Sequence, residues 1–367
     1  MTYKYRGTQP AGLNGGGGYS GDGSPASHFV VAFEAGSGDV GYAANADRTS
    51  WTIYDRVGGN GNSLDGAYGK DGSGNGIYVF GNGSSSGELT VSSDDITDGN
   101  QWTKVDLPSG LNLNKMQAIA WANDSTNSTS GVWLAGSTAG RLYRSTNGAS
   151  TWSQITVPSQ DNTAFFSIAG NGSGKFVTGQ SDRMLISTDD GASFSASQPF
   201  TFESLAGVAY TNSTWVVAYT KSGQSNLFAR TAADSDLTTW SSEVDLGIAK
   251  PAAAVGDHDP GPRANIAAAS GRAVITSNRV AAIARIDVDG TTTSNLANPT
   301  YAGPAMRDVT TDSNTWMAVT VGGDIYESTD GGETWAETVD NILVSRSGGS
   351  FSGDDITCVA ASKHLPL

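Results

Sequence analysis

Ser328-Thr329-Asp330-Gly331-Gly332-Glu333-Thr334-Trp335 reads as a tight turn between two strands. The aspartate can accept hydrogen bonds from the amides of its own turn, glycine tolerates the left-handed backbone such a turn needs, and the tryptophan anchors the departing strand in apolar contact. Two weaker copies keep the same seven-residue step from serine to aromatic: Ser145-Thr146-Asn147-Gly148-Ala149-Ser150-Thr151-Trp152 and Ser187-Thr188-Asp189-Asp190-Gly191-Ala192-Ser193-Phe194. Looser copies end at Trp51, Trp102 and Trp240. From closing aromatic to closing aromatic the steps are 51, 50, 42, 46 and 95 residues, the last close to two repeats, so one repeat has lost its turn. A period of this size predicts units that stack or surround an axis, because one unit cannot bury its own apolar face.

Composition agrees with many short strands. The chain has 367 residues, 48 glycines and only 16% charged residues, and no amphipathic helix is legible. Its one cysteine, Cys358, excludes an intrachain disulfide and a cysteine-rich zinc site, and within Ile356-Thr357-Cys358-Val359-Ala360-Ala361 it reads as a small buried hydrophobe. A net charge of −15 with no compensating Lys/Arg cluster disfavours nucleic acid and anionic membranes as partners. Met1-Thr2-Tyr3-Lys4-Tyr5-Arg6 leads into polar, glycine-rich sequence without an apolar signal core, and no apolar run is long enough to span a bilayer. A soluble chain without Sec-dependent export or membrane insertion is the expectation.

Each repeat holds four apolar runs. Opening strands are expected at 64–69, 116–121, 165–169, 205–210, 265–269, 306–310 and 356–361, and second strands at 29–34, 77–81, 132–136, 176–179, 215–219, 273–276 and 316–320. Both sets have seven members, but they are offset. The first second strand has no opening strand before it, and the last opening strand has no second strand after it. The two ends therefore complete one blade, which removes the open sheet edges an unclosed ring would leave. The expected fold is an all-β, seven-bladed β-propeller spanning 28–367, closed by a blade built from 28–56 plus 355–362. The unit at about 265–298 is the degenerate one, with Asp287-Val288-Asp289-Gly290 in place of the turn motif. Residues 1–27, with Gly15-Gly16-Gly17-Gly18, read as an extended glycine-rich arm outside the ring.

The pattern S-x-D-x-G-x-T-W resembles the Asp-box (BNR) repeat of sialidase-like β-propellers, over nearly the whole chain after residue 27. The resemblance implies that Ser145, Asn147, Trp152, Ser187, Asp189, Gly191, Phe194, Ser328, Asp330, Gly332 and Trp335 are structural, placed at the blade periphery between third and fourth strands. It also implies an arginine triad and a Tyr/Glu pair wherever sialidase activity is present. That triad is not visible: among opening strands, only Met306-Arg307-Asp308 supplies an arginine.

Candidate chemistry is sparse. Asp65, Glu203, Asp308, Asp354 and Asp355 precede or occupy opening strands and could gather at the channel mouth, with Tyr68, Trp121, Phe202 and Tyr210 as sugar platforms. Two such carboxylates would suit a glycosidase. Asp257-His258-Asp259 ends the longest inter-blade insertion and reads as an exposed recognition loop before a metal corner. Phosphate-binding loops, dinucleotide fingerprints, nucleophile elbows and Cys/His metal patterns are absent, so no cofactor or metal is expected and an enzyme is disfavoured. Interaction surfaces are expected at Tyr3, Tyr5 and Arg6 of the arm, and at Asp65, Glu203, Asp257, His258, Arg307 and Asp308.

The expected function is a non-enzymatic structural or interaction propeller. The Gly/Ser/Thr/Asn-rich, acidic, cysteine-poor style resembles bacteriophage structural proteins, which implies a virion component of tail or capsid surface, assembled in the host cytoplasm, that mediates assembly or adhesion through protein subunits contacted by the arm. A glycan-binding or glycan-hydrolysing propeller is the alternative. The photosystem II assembly (stability) family, also of seven-bladed BNR propellers, offers a second alternative, a protein-complex assembly factor.

Overall fold

The computed structural model describes residues 28–33, 40–44, 47–54, 63–83, 87–92, 96, 102–108, 115–158, 162–251, 263–278, 280–288, 293–296, 303–340, 342 and 356–361. Their strands form seven four-stranded antiparallel sheets, the blades of a β-propeller. Blade 1 holds β1 (His28–Phe33), β2 (Val40–Ala44) and β3 (Asp47–Tyr54); blade 2 holds β4 (Ser63–Lys70), β5 (Gly76–Asn82), β6 (Glu88–Ser92) and β7 (Trp102–Asp106). Blade 3 follows with β8 (Met116–Ala122), β9 (Val132–Ser137), β10 (Leu142–Ser145) and β11 (Ser153–Ile155), and blade 4 with β12 (Ile168–Gly170), β13 (Phe176–Gln180), β14 (Arg183–Ser187) and β15 (Ser195–Ser197). Blade 5 comprises β16 (Ser204–Thr211), β17 (Thr214–Thr220), β18 (Asn226–Ala233) and β19 (Val244–Ala249); blade 6 comprises β20 (Ala264–Ala269), β21 (Arg272–Ser277), β22 (Ile283–Val288) and β23 (Thr293–Leu296). Blade 7 is β24 (Met306–Thr311), β25 (Trp316–Thr320), β26 (Ile325–Ser328) and β27 (Ala336–Val339), and β28 (Ile356–Ala361) returns to complete blade 1. Among the described residues no helix is long and apolar enough to cross a membrane.

Burial explains why second strands are the clearest signal in the sequence. Every residue of β5, β9, β13, β17 and β25 is buried, because each lies between two neighbouring blades and is covered on both faces. The peripheral strands β11, β15 and β27 are short and mostly exposed. The core is accordingly divided. Seven apolar clusters occur among the described residues, each combining residues of two adjacent blades, as where Phe29, Val31 and Phe33 of blade 1 meet Met317, Val319 and Ile325 of blade 7.

Closure follows the offset in the strand pattern. β1 pairs antiparallel with β28, Phe29 opposite Ala361 and Val31 opposite Val359, with a register shift between Ala32 and Phe33. Thr357 adds a side-chain hydrogen bond to the carbonyl of Ala32 at 3.0 Å. The sequence places the opening strand of blade 4 at 165–169, whereas β12 is confined to Ile168–Gly170. Its upstream residues are held by other blades: the amide of Phe165 donates to the Ser137 carbonyl, and Gln117 donates to that of Phe165.

The recurrent turns join third to fourth strands in blades 3, 4 and 7. In the last, Ser328 donates to Asp330 at 2.7 Å and accepts from the amide of Gly332, while Asp330 accepts from the amides of Glu333 and Thr334 and from the Thr334 hydroxyl. Ser187 and Asp189 repeat this with Gly191 and Ser193, and Ser145 and Asn147 with Ala149 and Thr151. The fourth and fifth positions are left-handed in all three turns, at φ of 67° and 61° for Gly148 and Ala149, 59° and 71° for Asp190 and Gly191, and 78° and 84° for Gly331 and Gly332. The closing indole donates to the fifth-position carbonyl from Trp152 and Trp335, and Trp51 and Trp240 make the same bond three residues back without the full motif.

These turns also connect blades. A side chain at Gly332 would strike Val274 of blade 6 at 2.5 Å, and Arg272 donates to the Asp330 carbonyl. Asp190 accepts from the amide and hydroxyl of Ser125 in blade 3. Hydrogen bonds from Thr334 and Ser328 outweigh partial burial and hold the Asp330 carboxyl down at about 2.

Two outcomes test this packing. Removing everything after Gly353 deletes β28, whose residues are all buried, and is expected to destabilise the chain by about 5 kcal/mol or more through lost apolar burial and the newly exposed edge of β1, read as the urea midpoint. Trp152 is 7% exposed whereas Trp335 is only partly covered. Trp152→Ala should therefore cost about 3–5 kcal/mol and Trp335→Ala clearly less, measured by denaturant unfolding.

Candidate functional site: a central channel with a charged floor

The first strand of every blade, β28 included, faces one central cavity of about 180 Å³. Each of these strands is paired on one side only, so its other edge presents backbone groups to the lumen. Strand pairing aligns one residue per blade at a single level. Four are polar: Asp65, Ser167, Asn265 and Asp308. The other three, Cys358, Ala118 and Gly207, are small.

The polar members reach across to the next blade. Asp65 accepts from the amide of Ile119 at 2.6 Å, Ser167 from that of Val208 at 3.0 Å, and Asp308 from that of Val359 at 2.9 Å, while Asn265 donates to the Arg307 carbonyl. The collar thus satisfies strand-edge groups that would otherwise lie buried and unpaired. Asp308 also accepts from the amide of Val309.

Arg263, immediately before β20, crosses this collar. It is 2% exposed, donates to the carbonyls of Leu64 at 2.9 Å and Gln117 at 3.1 Å, and stands 3.1 Å from Asp65 and 3.8 Å from Asp308. One guanidinium from blade 6 therefore ties blades 2, 3 and 7 together. Its Nε atom is buried and has no hydrogen-bond partner among the described residues. Burial drives the Asp308 carboxyl up to about 7, with the Asp65 charge adding to the rise and Arg263 opposing it. Burial likewise raises Asp65, against the pull of Arg263, and raises the Cys358 thiol. Both carboxylates accept from backbone amides of the next blade and share the one guanidinium of Arg263.

The expected surface residues are distributed differently. Asp65 and Asp308 do meet in the channel. Arg307, expected at a surface, is fully buried, with Nε donating to the Ile356 carbonyl and Nη1 to Asn278; it is a brace for β28. Glu203 does not line the cavity; its exposed carboxylate lies 3.8 Å from Lys250. Tyr68, Trp121 and Tyr210 line the cavity, but Phe202 packs among Phe200 and Tyr219. Tyr3, Tyr5, Arg6, Asp257, His258, Asp354 and Asp355 lie outside the described residues. The residue missed by sequence reasoning is Arg263. Its only local signal is an arginine directly before an apolar opening strand, the position that Asp65 and Asp308 approach from the other side.

No model of a known protein family matches this chain, and no curated protein matches it. Solved structures do. YCF48 bound to a D1 peptide is similar with a TM-score of 0.50 at 16% identity, covering 76% of this chain and 82% of that one. YCF48 from Cyanidioschyzon merolae gives 0.51 at 15% identity, over 81% and 93%. The computationally designed Ika8 protein gives 0.53 at 12% identity, over 90% and 86%. At these identities the likeness is one of fold.

The charged floor has a pH signature. Asp308 is raised from an ordinary value of 3.8 to about 7 in the folded chain, so between these values the folded state binds more protons than the unfolded one. This group therefore makes the fold less stable as pH rises from about 4 to about 7, and adds nothing further above that. The titratable groups that act on it are Arg263 and Asp65, and its charge in turn acts on Cys358. Asp308→Asn is expected to shrink the loss of unfolding free energy between pH 5 and pH 8, measured by urea denaturation at both values.

Proposed function

We propose that this chain is a non-enzymatic propeller that works by binding other proteins. The observation that carries the reading is the state of the channel floor: its carboxylates are tied to Arg263 and to backbone amides, which suits a structural brace and not a reaction centre. The fold supports it too, since a solved propeller of the same kind, YCF48, is bound to a D1 peptide. The finer reading is a virion component at a phage tail or capsid surface, supported by the Gly/Ser/Thr/Asn-rich, acidic composition and the glycine-rich residues 1–27. Under that reading the arm, through Tyr3, Tyr5 and Arg6, contacts neighbouring subunits, because aromatic and arginine side chains dominate interface energetics. The repeated S-x-D-x-G-x-T-W turns are Asp-boxes with a structural role. A second reading, an assembly factor for a protein complex, is favoured by the same YCF48 likeness.

A chain beginning at Ser27 tests the arm. Its melting temperature is expected to match that of the full chain, while its occupancy in the parent particle, read by quantitative mass spectrometry, is lost. Normal occupancy with an unchanged melting temperature overturns the docking role. Recovery of the full chain with a membrane protein complex, and not with a particle, selects the assembly-factor reading.

A further inference from the structure

The three complete turns differ at one step. Blade 7 carries Asp330-Gly331 and blade 4 carries Asp189-Asp190, whereas blade 3 carries Asn147-Gly148. An asparagine side chain is a carbonyl carbon with a potential leaving group, and the backbone nitrogen of the next residue can attack it to close a five-membered imide. Glycine in that next position favours closure, because it brings no side chain against the ring, and asparagine is accordingly among the thermolabile residues. Exposure then separates the Asn-Gly steps. Four fall among the described residues, at Asn75, Asn82, Asn147 and Asn171. Asn82 and Asn171 are buried and Asn75 is half-buried, so of the four only Asn147 stands exposed to the water that the reaction consumes.

The turn also prepares this side chain. Asn147 Oδ1 accepts from the Ser145 hydroxyl at 2.9 Å and from the Thr151 amide at 3.0 Å. Both donors sit on the oxygen where negative charge develops as Cγ becomes tetrahedral, the placement by which fixed donors stabilise an oxyanion. Nδ2 donates to the exposed Thr151 hydroxyl at 2.8 Å, so the leaving nitrogen departs into solvent. The amide of Gly148 has no acceptor among the described residues, and no hydrogen bond has to break to release the attacking atom. The product, moreover, has a ready geometry. Asp330 and Asp189 hold the same position with a carboxylate and accept from the hydroxyls of Thr334 and Ser193. An aspartate at position 147 needs only that the Thr151 hydroxyl turn from accepting to donating.

We propose that Asn147 is a site of spontaneous deamidation, which converts the blade 3 turn to the aspartate form of its two counterparts. The nitrogen of Gly148 adds to Cγ of Asn147, the Cγ–Nδ2 bond breaks, and Nδ2 leaves as ammonia with the proton that Gly148 gives up, relayed by water. One water then opens the imide at Cγ, which restores the Gly148 amide and leaves a carboxylate; nothing is oxidised or reduced. Opening at the backbone carbonyl instead gives isoaspartate, whose main chain is one carbon longer. Gly148 has no room to follow such a change, because it packs against the backbone of Asp71 and Gly72 in blade 2. The fold therefore selects aspartate, and each event adds one negative charge where blades 2 and 3 meet. This site is independent of the channel, the arm and the protein-binding reading above.

The test incubates the full chain at pH 8 for several weeks, folded and in concentrated urea, and follows each asparagine by peptide mapping with tandem mass spectrometry. An isoaspartyl methyltransferase assay separates the two products. In the folded chain Asn147 is expected to deamidate about ten-fold faster than Asn75, Asn82 and Asn171, or more, with aspartate as the main product. In urea the four sites are expected to react at similar rates, which assigns the difference to the fold. Asn147→Asp supplies the product directly and is expected to keep or raise the melting temperature, because charge-assisted hydrogen bonds from Thr151 replace neutral ones. The proposal is overturned if Asn147 reacts no faster than the other three in the folded chain, if its lead persists in urea, if isoaspartate predominates, or if Asn147→Asp lowers the melting temperature.

Discussion

The pairing of β1 with β28 is the constraint on which the other contacts depend. Each blade buries its faces only against neighbours, so the core of the described residues exists as seven separate clusters, and the two that flank blade 1 are complete only when the ring is closed. A join between residues more than 300 positions apart is entropically expensive in a free chain, yet the cost grows only slowly with loop length. Once made, it gives blade 1 its innermost strand, and with it one wall of the channel. Arg307 and Asp308 of blade 7 both reinforce it, through the Ile356 carbonyl and the Val359 amide.

The collar explains why charged residues stand at the centre of an otherwise apolar ring. First strands must turn one edge to the lumen, and Asp65, Ser167 and Asp308 cap amides of the following blade at the same level. Two carboxylates so placed repel one another and are costly to bury. Arg263 offsets this by standing between them while donating to two carbonyls. Removing one member of such a group leaves the others uncompensated, which is why buried ionic clusters are stringent even where they add little net stability. Their value here is geometric: one side chain holds four blades in register around the axis.

Much of the architecture was legible because its determinants are local. The Ser, Asp and Gly of each turn satisfy one another within eight residues, so Ser328 to Trp335 announces its geometry without reference to the rest of the chain. Second strands are equally plain, because burial on both faces demands an unbroken apolar run, as in Val132–Ser137. The opening strand of blade 4 was placed three residues early for the opposite reason: Phe165 is apolar and buried, but its backbone partners belong to blade 3.

The sequence by itself determined the repeat, the strand count, the turn chemistry and the offset that closes the ring, since each is written in spacing along the chain. Only the tertiary structure decided what the polar residues do. Asp65, Asp308 and Arg263 lie up to 243 positions apart in sequence and meet because a circular fold brings equivalent positions of every blade to one level. Glu203 has the same charge, yet it lies four residues before Gly207, the blade 5 position level with Asp65, and it faces Lys250 outside the cavity. What separates the two carboxylates is their level along the first strand, and the register of strand pairing within each blade sets that level.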